Sequence, residues 1–371
     1  MGGVARIRFD YAVDMAISRE AQRVESQAAL ARYSRQVLVR QIGAEGQRAL
    51  ARSSASLIGC GALGSGLANL LVRAGLGRLR LIDRDFIELN NLQRQTLFDE
   101  QDIADQLPKA EAAARRLRAI NSDVRIEPVV ADVTHANIES LIDGTEVVLD
   151  GTDNLETRYL INDACVKQGR PWVYGACIGV TGMMMPVLPG ETACLRCVWN
   201  EPSPPGTSET CDTAGVLGPV VDLVASWQAI EALKLLTGRR AEVQRRLLQF
   251  DAWSGDVQWF DLGAARDAEA CICCAKRQFE FLEGKRGSGA SVICGRDAVQ
   301  ITPPAGARIQ FAEIAARVAG VAAEPPSHNR FLMRFQIGPH VVTLFADGRA
   351  IIQGTSSPDE ARSLYARYVG V

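Results

Sequence analysis

Ser56-Leu57-Ile58-Gly59-Cys60-Gly61-Ala62-Leu63-Gly64 is the stretch that decides the fold. Apolar residues run into three closely spaced glycines, and the apolar segment 67–74 follows, which reads as strand, turn and helix. A glycine turn in that position lets backbone amides approach phosphate oxygens, while the helix N-terminus adds partial positive charge. Gly59, Gly61 and Gly64 fit this geometry. Asp83, at the end of the next strand (79–82), is placed to accept hydrogen bonds from ribose hydroxyls. Taken alone, the pattern fits a dinucleotide, a mononucleotide, or a tight turn that merely packs a helix.

Outward from this turn the pattern alternates. Residues 109–120 read as a helix, 124–130 as a strand, and 146–149 as a strand that runs into Asp150 and Gly151. Strands alternating with helices predict an α/β fold with a Rossmann-like, doubly wound, mostly parallel sheet. Residues 172–178 and 182–188 are strands joined by a short turn, which predicts an antiparallel extension. Residues 201–218 carry three prolines and read as an irregular loop, with Pro219 opening a helix to Leu236. A linker at 281–291 precedes a small α+β C-terminal domain. In it, strands at 298–301, 331–337, 340–345 and 349–353 accompany helices at 311–318 and from Ser357 through Tyr368. The expected boundaries are an N-terminal extension at 1–30, a main domain at 31–284 and the C-terminal domain at 285–371.

In 371 residues, 41 Lys and Arg oppose 43 Asp and Glu, giving a net charge of -2 and no global attraction to nucleic acid or anionic lipid. Asp10, Asp14 and Glu20 interrupt any N-terminal apolar run, so no secretory signal is expected. The apolar stretch 216–236 contains Asp222, Glu231 and Lys234, which marks it as a core helix and not a membrane span. Ten cysteines without an export signal predict a reducing, cytoplasmic setting.

Splitting ATP between its α- and β-phosphates needs cations near the phosphates, whereas hydride transfer does not. Arg94 and Lys109 are candidate cations, and Asp153 in Gly151-Thr152-Asp153-Asn154 is a candidate Mg²⁺ ligand. Each basic residue alone would more often be part of a solvated helix face. Cys194-Leu195-Arg196-Cys197 and Cys271-Ile272-Cys273-Cys274 supply paired CxxC spacings suited to tetrahedral zinc, with core thiols or a redox pair as alternatives. Cys274 is preferred to Cys273 because it alone completes CxxC with Cys271.

Tyr33-Ser34-Arg35-Gln36, the 59–64 loop, Asp83-Arg84-Asp85, Asn91-Leu92-Gln93-Arg94-Gln95, Pro108-Lys109 and Thr152-Asp153-Asn154 recur together here. In this combination the chain resembles the ThiF/MoeB/HesA adenylyltransferases, bacterial relatives of ubiquitin-activating enzymes, over about residues 31–284. The resemblance implies an ATP-dependent enzyme that adenylates the C-terminal glycine carboxylate of a ubiquitin-like sulfur-carrier protein, releasing pyrophosphate. It implies that Asp83, Asp85 and Asn91 help bind the nucleotide, that Arg94 and Lys109 contact its phosphates, and that Asp153 serves Mg²⁺. It further implies that the CxxC pairs hold structural Zn²⁺ and that Arg35 reaches the nucleotide of the other subunit in a homodimer.

Cys211, in the polar loop Glu209-Thr210-Cys211-Asp212, stands where relatives place a functional cysteine, and a covalent or merely dispensable role both stay open. A sulfur donor protein is a further expected partner. Adenylation of another carboxylate, such as a peptide terminus or a modified tRNA base, is the alternative reaction. An inactive nucleotide-binding scaffold or an NAD-dependent dehydrogenase is the alternative of another class. Cys60, Cys165 and Cys177 read as packing residues, and His135, His328 and His340 lack partner motifs. Cys294 precedes the first strand of a unit too short for a rhodanese, and the chain ends Tyr368-Val369-Gly370-Val371 without a carrier's Gly-Gly. The C-terminal domain is therefore expected to dock a partner or stabilise a dimer.

Overall fold

β1 (Ser54–Ile58) is buried at every position, as a strand must be when helices cover both faces of its sheet. This computed structural model describes residues 30–202, 214–266, 269–286, 291–293, 297–302 and 309–369. β1 lies between β2 (Arg78–Asp83) and β4 (Val147–Asp150), with β3 (Arg125–Val130) and β5 (Trp172–Ile178) beyond, all parallel. β6 (Thr181–Val187), β7 (Arg246–Asp251) and β8 (Asp256–Asp261) continue the sheet antiparallel, giving the order β3-β2-β1-β4-β5-β6-β7-β8.

Successive side chains of a strand alternate between faces. Leu57 and Leu81 therefore join a core formed with α1 (Ala62–Ala74), α2 (Lys109–Ile120) and α4 (Gly218–Leu236), while α3 (Leu155–Gln168) lies elsewhere. Ile58 and Ile82 turn to the opposite face, where α3 packs through Tyr159 and Ile161. α1 and α4 touch closely at Gly66, where a Cβ would lie 2.9 Å from that of Ala225.

A second sheet holds β9 (Ser291–Ile293), β10 (Ala298–Ile301), β11 (Ser327–His328), β12 (Leu332–Ile337), β13 (His340–Phe345) and β14 (Ala350–Gln353), in the antiparallel order β11-β12-β13-β14-β10-β9. One face, with Val299, Met333, Leu344 and Ile352, is covered by α5 (Phe311–Val318) and α6 (Pro358–Tyr368). The other face, with Ala298, Leu332, Phe345 and Ile351, packs on Phe86 of the first unit.

The fold matches the expected class, including the antiparallel extension and the small α+β unit. α3, β7 and β8 were not anticipated. α3 places Arg158, Asn162 and Asp163 among its buried residues, which destroys the apolar period, and β8 is mostly exposed. Most of the N-terminal extension, and Cys211 and Cys294, lie outside the described residues.

Candidate active site and metal centre

The glycine turn is held by backbone contacts too close for any side chain. Gly59 has φ +88° and donates to the Ile82 carbonyl at 2.8 Å, and Gly151 donates to the Ile58 carbonyl at 2.8 Å. A Cβ on Gly64 would lie 2.1 Å from the Gly59 oxygen, and one on Gly151 would lie 2.4 Å from the same atom. Gly61 is different: its Cβ would meet nothing nearer than Gln95 Nε2 at 3.9 Å. Gly61 also forms the N-cap of α1 without a side-chain cap, so the first-turn amides and the helix dipole face an open cradle suited to an anion. Cys60 is fully buried, and burial, then the Asp83 charge, pushes its thiol far above the ordinary range.

Asp83 ties this loop to the end of β2. Its Oδ2 accepts from the Cys60 amide at 2.6 Å and its Oδ1 from the Asp85 amide at 2.7 Å, and each oxygen retains a second acceptor site. Burial raises the Asp83 pKa, opposed by the charge of Lys109. Phe86 and Pro108 form an isolated antiparallel bridge, and the Lys109 amide donates to the Asp85 carbonyl at 2.9 Å. This pairing sets Lys109 Nζ 3.3 Å from Asp85 Oδ2. Arg84 reaches Asp132 at 2.9 Å and Asp85 at 3.6 Å. Burial opposes its charge, but these carboxylates outweigh burial and hold its pKa above the ordinary value.

The turn 91–95 lies over the same loop. Asn91 is fully buried and exchanges bonds with Glu88 that close the turn. Arg94 donates to the Asn90 carbonyl at 2.9 Å, and its Cβ lies 3.9 Å from where a Gly218 Cβ would stand at the start of α4.

Asp153 is exposed, beside Asn154, the N-cap of α3, whose side chain accepts from the Thr157 amide at 3.1 Å. Its charge reaches both Arg84 and Arg158. Behind it lies a network that the sequence reading missed. Asp150 is fully buried and accepts from the Thr152 amide at 2.9 Å and from Arg158 Nε at 3.0 Å. Arg158 Nη2 also holds the carbonyls of Thr152 and Gly175, at 2.7 and 2.9 Å. Gln228 of α4 binds the Asp150 carbonyl at 2.8 Å. The available signal was Asp150 at a strand end with Arg158 eight residues on.

Arg35 is not brought to this cluster. Its neighbour Tyr33 contacts Gly75, the C-cap of α1, and accepts from Asn121 at 2.8 Å. The length of α1, about 20 Å at 1.5 Å per residue, separates that end from Gly61.

The second centre is sulfur-rich. Sγ separations are 3.7 Å for Cys194–Cys197, 3.7 Å for Cys194–Cys271 and 3.4 Å for Cys197–Cys274, and the four atoms all lie within 4.8 Å of one another. Thiolates at about 2.3 Å from a tetrahedral zinc stand about 3.8 Å apart, so this donor set fits that ion and leaves no open coordination position. Cys274, not Cys273, completes the set. α3 organises it: Asn162 accepts from the Leu195 amide at 2.9 Å and donates to Cys273 Sγ at 3.2 Å. Asp163 accepts from the Phe281 amide at 3.0 Å, and Arg196 pairs with Glu280 at 2.9 Å. Among the described residues no helix is long and apolar enough to cross a membrane.

The sequence matches the ThiF family over residues 33–274. It is 41% identical over 339 residues to the sulfur carrier protein ThiS adenylyltransferase of Bacillus subtilis, covering 91% of this chain and 99% of that protein. The SAMP-activating enzyme E1 of Haloferax volcanii is 40% identical, over 68% of this chain and 92% of its own. The sulfur carrier protein adenylyltransferase of Thermus thermophilus is also 40% identical, over 66% of this chain and 90% of its own. A crystal structure of E. coli MccB with ATP has the same fold, with TM-score 0.57 at 20% identity over 66% of this chain and 74% of that one. With a family match across most of the main sheet, and relatives this similar sharing one activity, the chain belongs to the ThiF family and is an adenylyltransferase.

Proposed function

We propose that this enzyme adenylates the C-terminal glycine carboxylate of a ubiquitin-like sulfur-carrier protein. The observation that carries this reading is the placement of Lys109 and Asp85 beside the backbone cradle of Gly59, Gly61 and Gly64. A carrier carboxylate oxygen attacks the α-phosphorus of ATP, the α–β phosphoanhydride bond breaks, and pyrophosphate leaves with the bonding electrons. The product is an acyl-adenylate, competent for sulfur transfer or conjugation.

In this mechanism the α1 amides and Lys109 hold phosphate oxygens, Arg94 neutralises charge growing on the leaving pyrophosphate, and Asp83, with Asp85 and Asn91 shaping its segment, orients the ribose. Asp153 would hold Mg²⁺, which supplies charge neutralisation at the phosphates. Zn²⁺ at Cys194, Cys197, Cys271 and Cys274 would be structural. The proposed organisation keeps an N-terminal extension to residue 30, an adenylation domain at 31–284 and a C-terminal domain at 285–371. A reducing, cytoplasmic setting would keep these four sulfurs available to the ion.

The remoteness of Arg35 from Gly61 supports a homodimer in which Arg35 serves the partner's site. Leu38, Leu223 and Ile230 remain exposed and supply apolar surface for such an interface. Cys211 would then take a covalent part only with carriers that pass sulfur or form conjugates, alongside a sulfur donor protein.

Carrier-dependent ATP–pyrophosphate exchange tests the function. Arg94→Ala should nearly abolish exchange, and exchange at the wild-type rate in that variant would refute the assignment.

A further inference from the structure

The second sheet has one face under helices and the other on the nucleotide segment. By strand alternation Ala298 and Gln300 of β10, Leu332 and Arg334 of β12, Phe345 of β13 and Ile351 of β14 point away from α5 and α6. That face and the loop before β12 reach the segment 83–109, directly or through Asp132, and three of the contacts matter here. Phe86 packs into the apolar cluster of Ala298, Leu332, Phe345 and Ile351, with the Arg334 guanidinium 5.8 Å from its ring centre. Gln300 donates to Asp132 Oδ2 at 2.6 Å, and Asp132 holds Arg84 through its other oxygen at 2.9 Å. Asn329 donates to the Gln106 carbonyl at 2.8 Å, where Gln106 has φ +50°, a conformation unusual for a residue with a side chain.

These contacts bracket the residues assigned to the nucleotide. Asp83 and Asp85 lie just before Phe86, and Lys109 follows Pro108, the residue bridged to Phe86. We propose that the C-terminal sheet is a positioning clamp: it fixes segments 83–86 and 106–109 so that Asp83, Asp85 and Lys109 are in place before ATP arrives. This inference rests on the nucleotide reading given above. Its role differs from docking a carrier, because the contacting face is turned toward the enzyme's own loop.

Holding a loop in its bound conformation lowers the ordering cost of binding, so loosening it weakens affinity more than it slows chemistry. In the full chain, the triple variant Gln300→Ala, Asn329→Ala, Arg334→Ala removes three of the ties, leaving those of Ser327 to Gln106 and Arg330 to Glu111, and keeps the apolar cores of both units intact. We expect the dissociation constant and KM for ATP to rise about tenfold, the KM for the carrier to stay constant, and kcat to change less than threefold. Amide hydrogen exchange at residues 84–89 and 106–110 should quicken without nucleotide, while the cores stay protected. Phe86→Leu should retain most of the affinity, and Phe86→Ser should lose it.

Unchanged exchange at those amides together with unchanged ATP affinity would overturn the clamp. A rise confined to the carrier's KM would also overturn it, in favour of docking. Failure of the wild-type chain to bind ATP would refute the nucleotide reading instead, and the exchange measurement keeps the two failures apart.

Discussion

Lys109 Nζ stands 3.3 Å from the Asp85 carboxylate, with the lysine side chain only 5% exposed. A cation this sheltered acts on a neighbouring phosphate more strongly than one in water. Lys109→Ala should lower kcat for carrier-dependent pyrophosphate exchange about 10²-fold to 10³-fold. Circular dichroism should show the fold retained. A loss below tenfold would remove Lys109 from the phosphate site.

The glycines of the turn should separate by role. Gly64→Ala forces a methyl group to within 2.1 Å of the Gly59 oxygen, so it should destabilise the protein by about 1–3 kcal/mol or more and lower Tm. Gly61→Ala meets no atom closer than 3.9 Å, so Tm should hold while ATP affinity falls. Parallel loss of Tm in both variants would mean that Gly61 is structural.

Metal analysis of the purified protein should find one zinc per chain. Cys197→Ser should lose zinc and lower Tm, because metal binding and local folding are coupled. Cys273→Ser should keep full zinc stoichiometry, since the four clustered sulfurs exclude Cys273. Equal zinc loss in both variants would mean that the ligand set is wrong.

Arg158→Met leaves the buried Asp150 carboxylate without its cation and should cost about 3–5 kcal/mol in urea unfolding. Adding Asp150→Asn should recover part of that loss, because the cycle removes the stranded charge. Strictly additive losses would show that the pair is not coupled.

Arg35→Ala and Lys109→Ala should each be inactive as homodimers. Mixed and reassorted, they should regain about a quarter of wild-type exchange, because half of the dimers would carry one intact site. No recovery after verified reassortment would place Arg35 in its own subunit's site or outside any site.

Much of this architecture was legible because its signals are local. Gly59, Gly61 and Gly64 mark the turn by composition, and Cys194, Cys197, Cys271 and Cys274 mark their cluster by spacing. Asp150, Arg158 and Gln228 were not legible, because their partnership joins β4, α3 and α4, which only the folded sheet brings together. The C-terminal unit showed its strands through alternation, yet its contact with Phe86 involves residues more than two hundred positions away, and no local pattern encodes it. Arg35 had a role by resemblance alone, and the folded chain sets its segment at the far end of α1 from Gly61.

α3 begins at Asn154, next to Asp153, and eight residues later Asn162 fastens the sulfur knuckles. About 12 Å of rigid helix thus joins the two centres. A change at the sulfur end would arrive at the acidic loop as a tilt of its supporting rod and not as an altered charge.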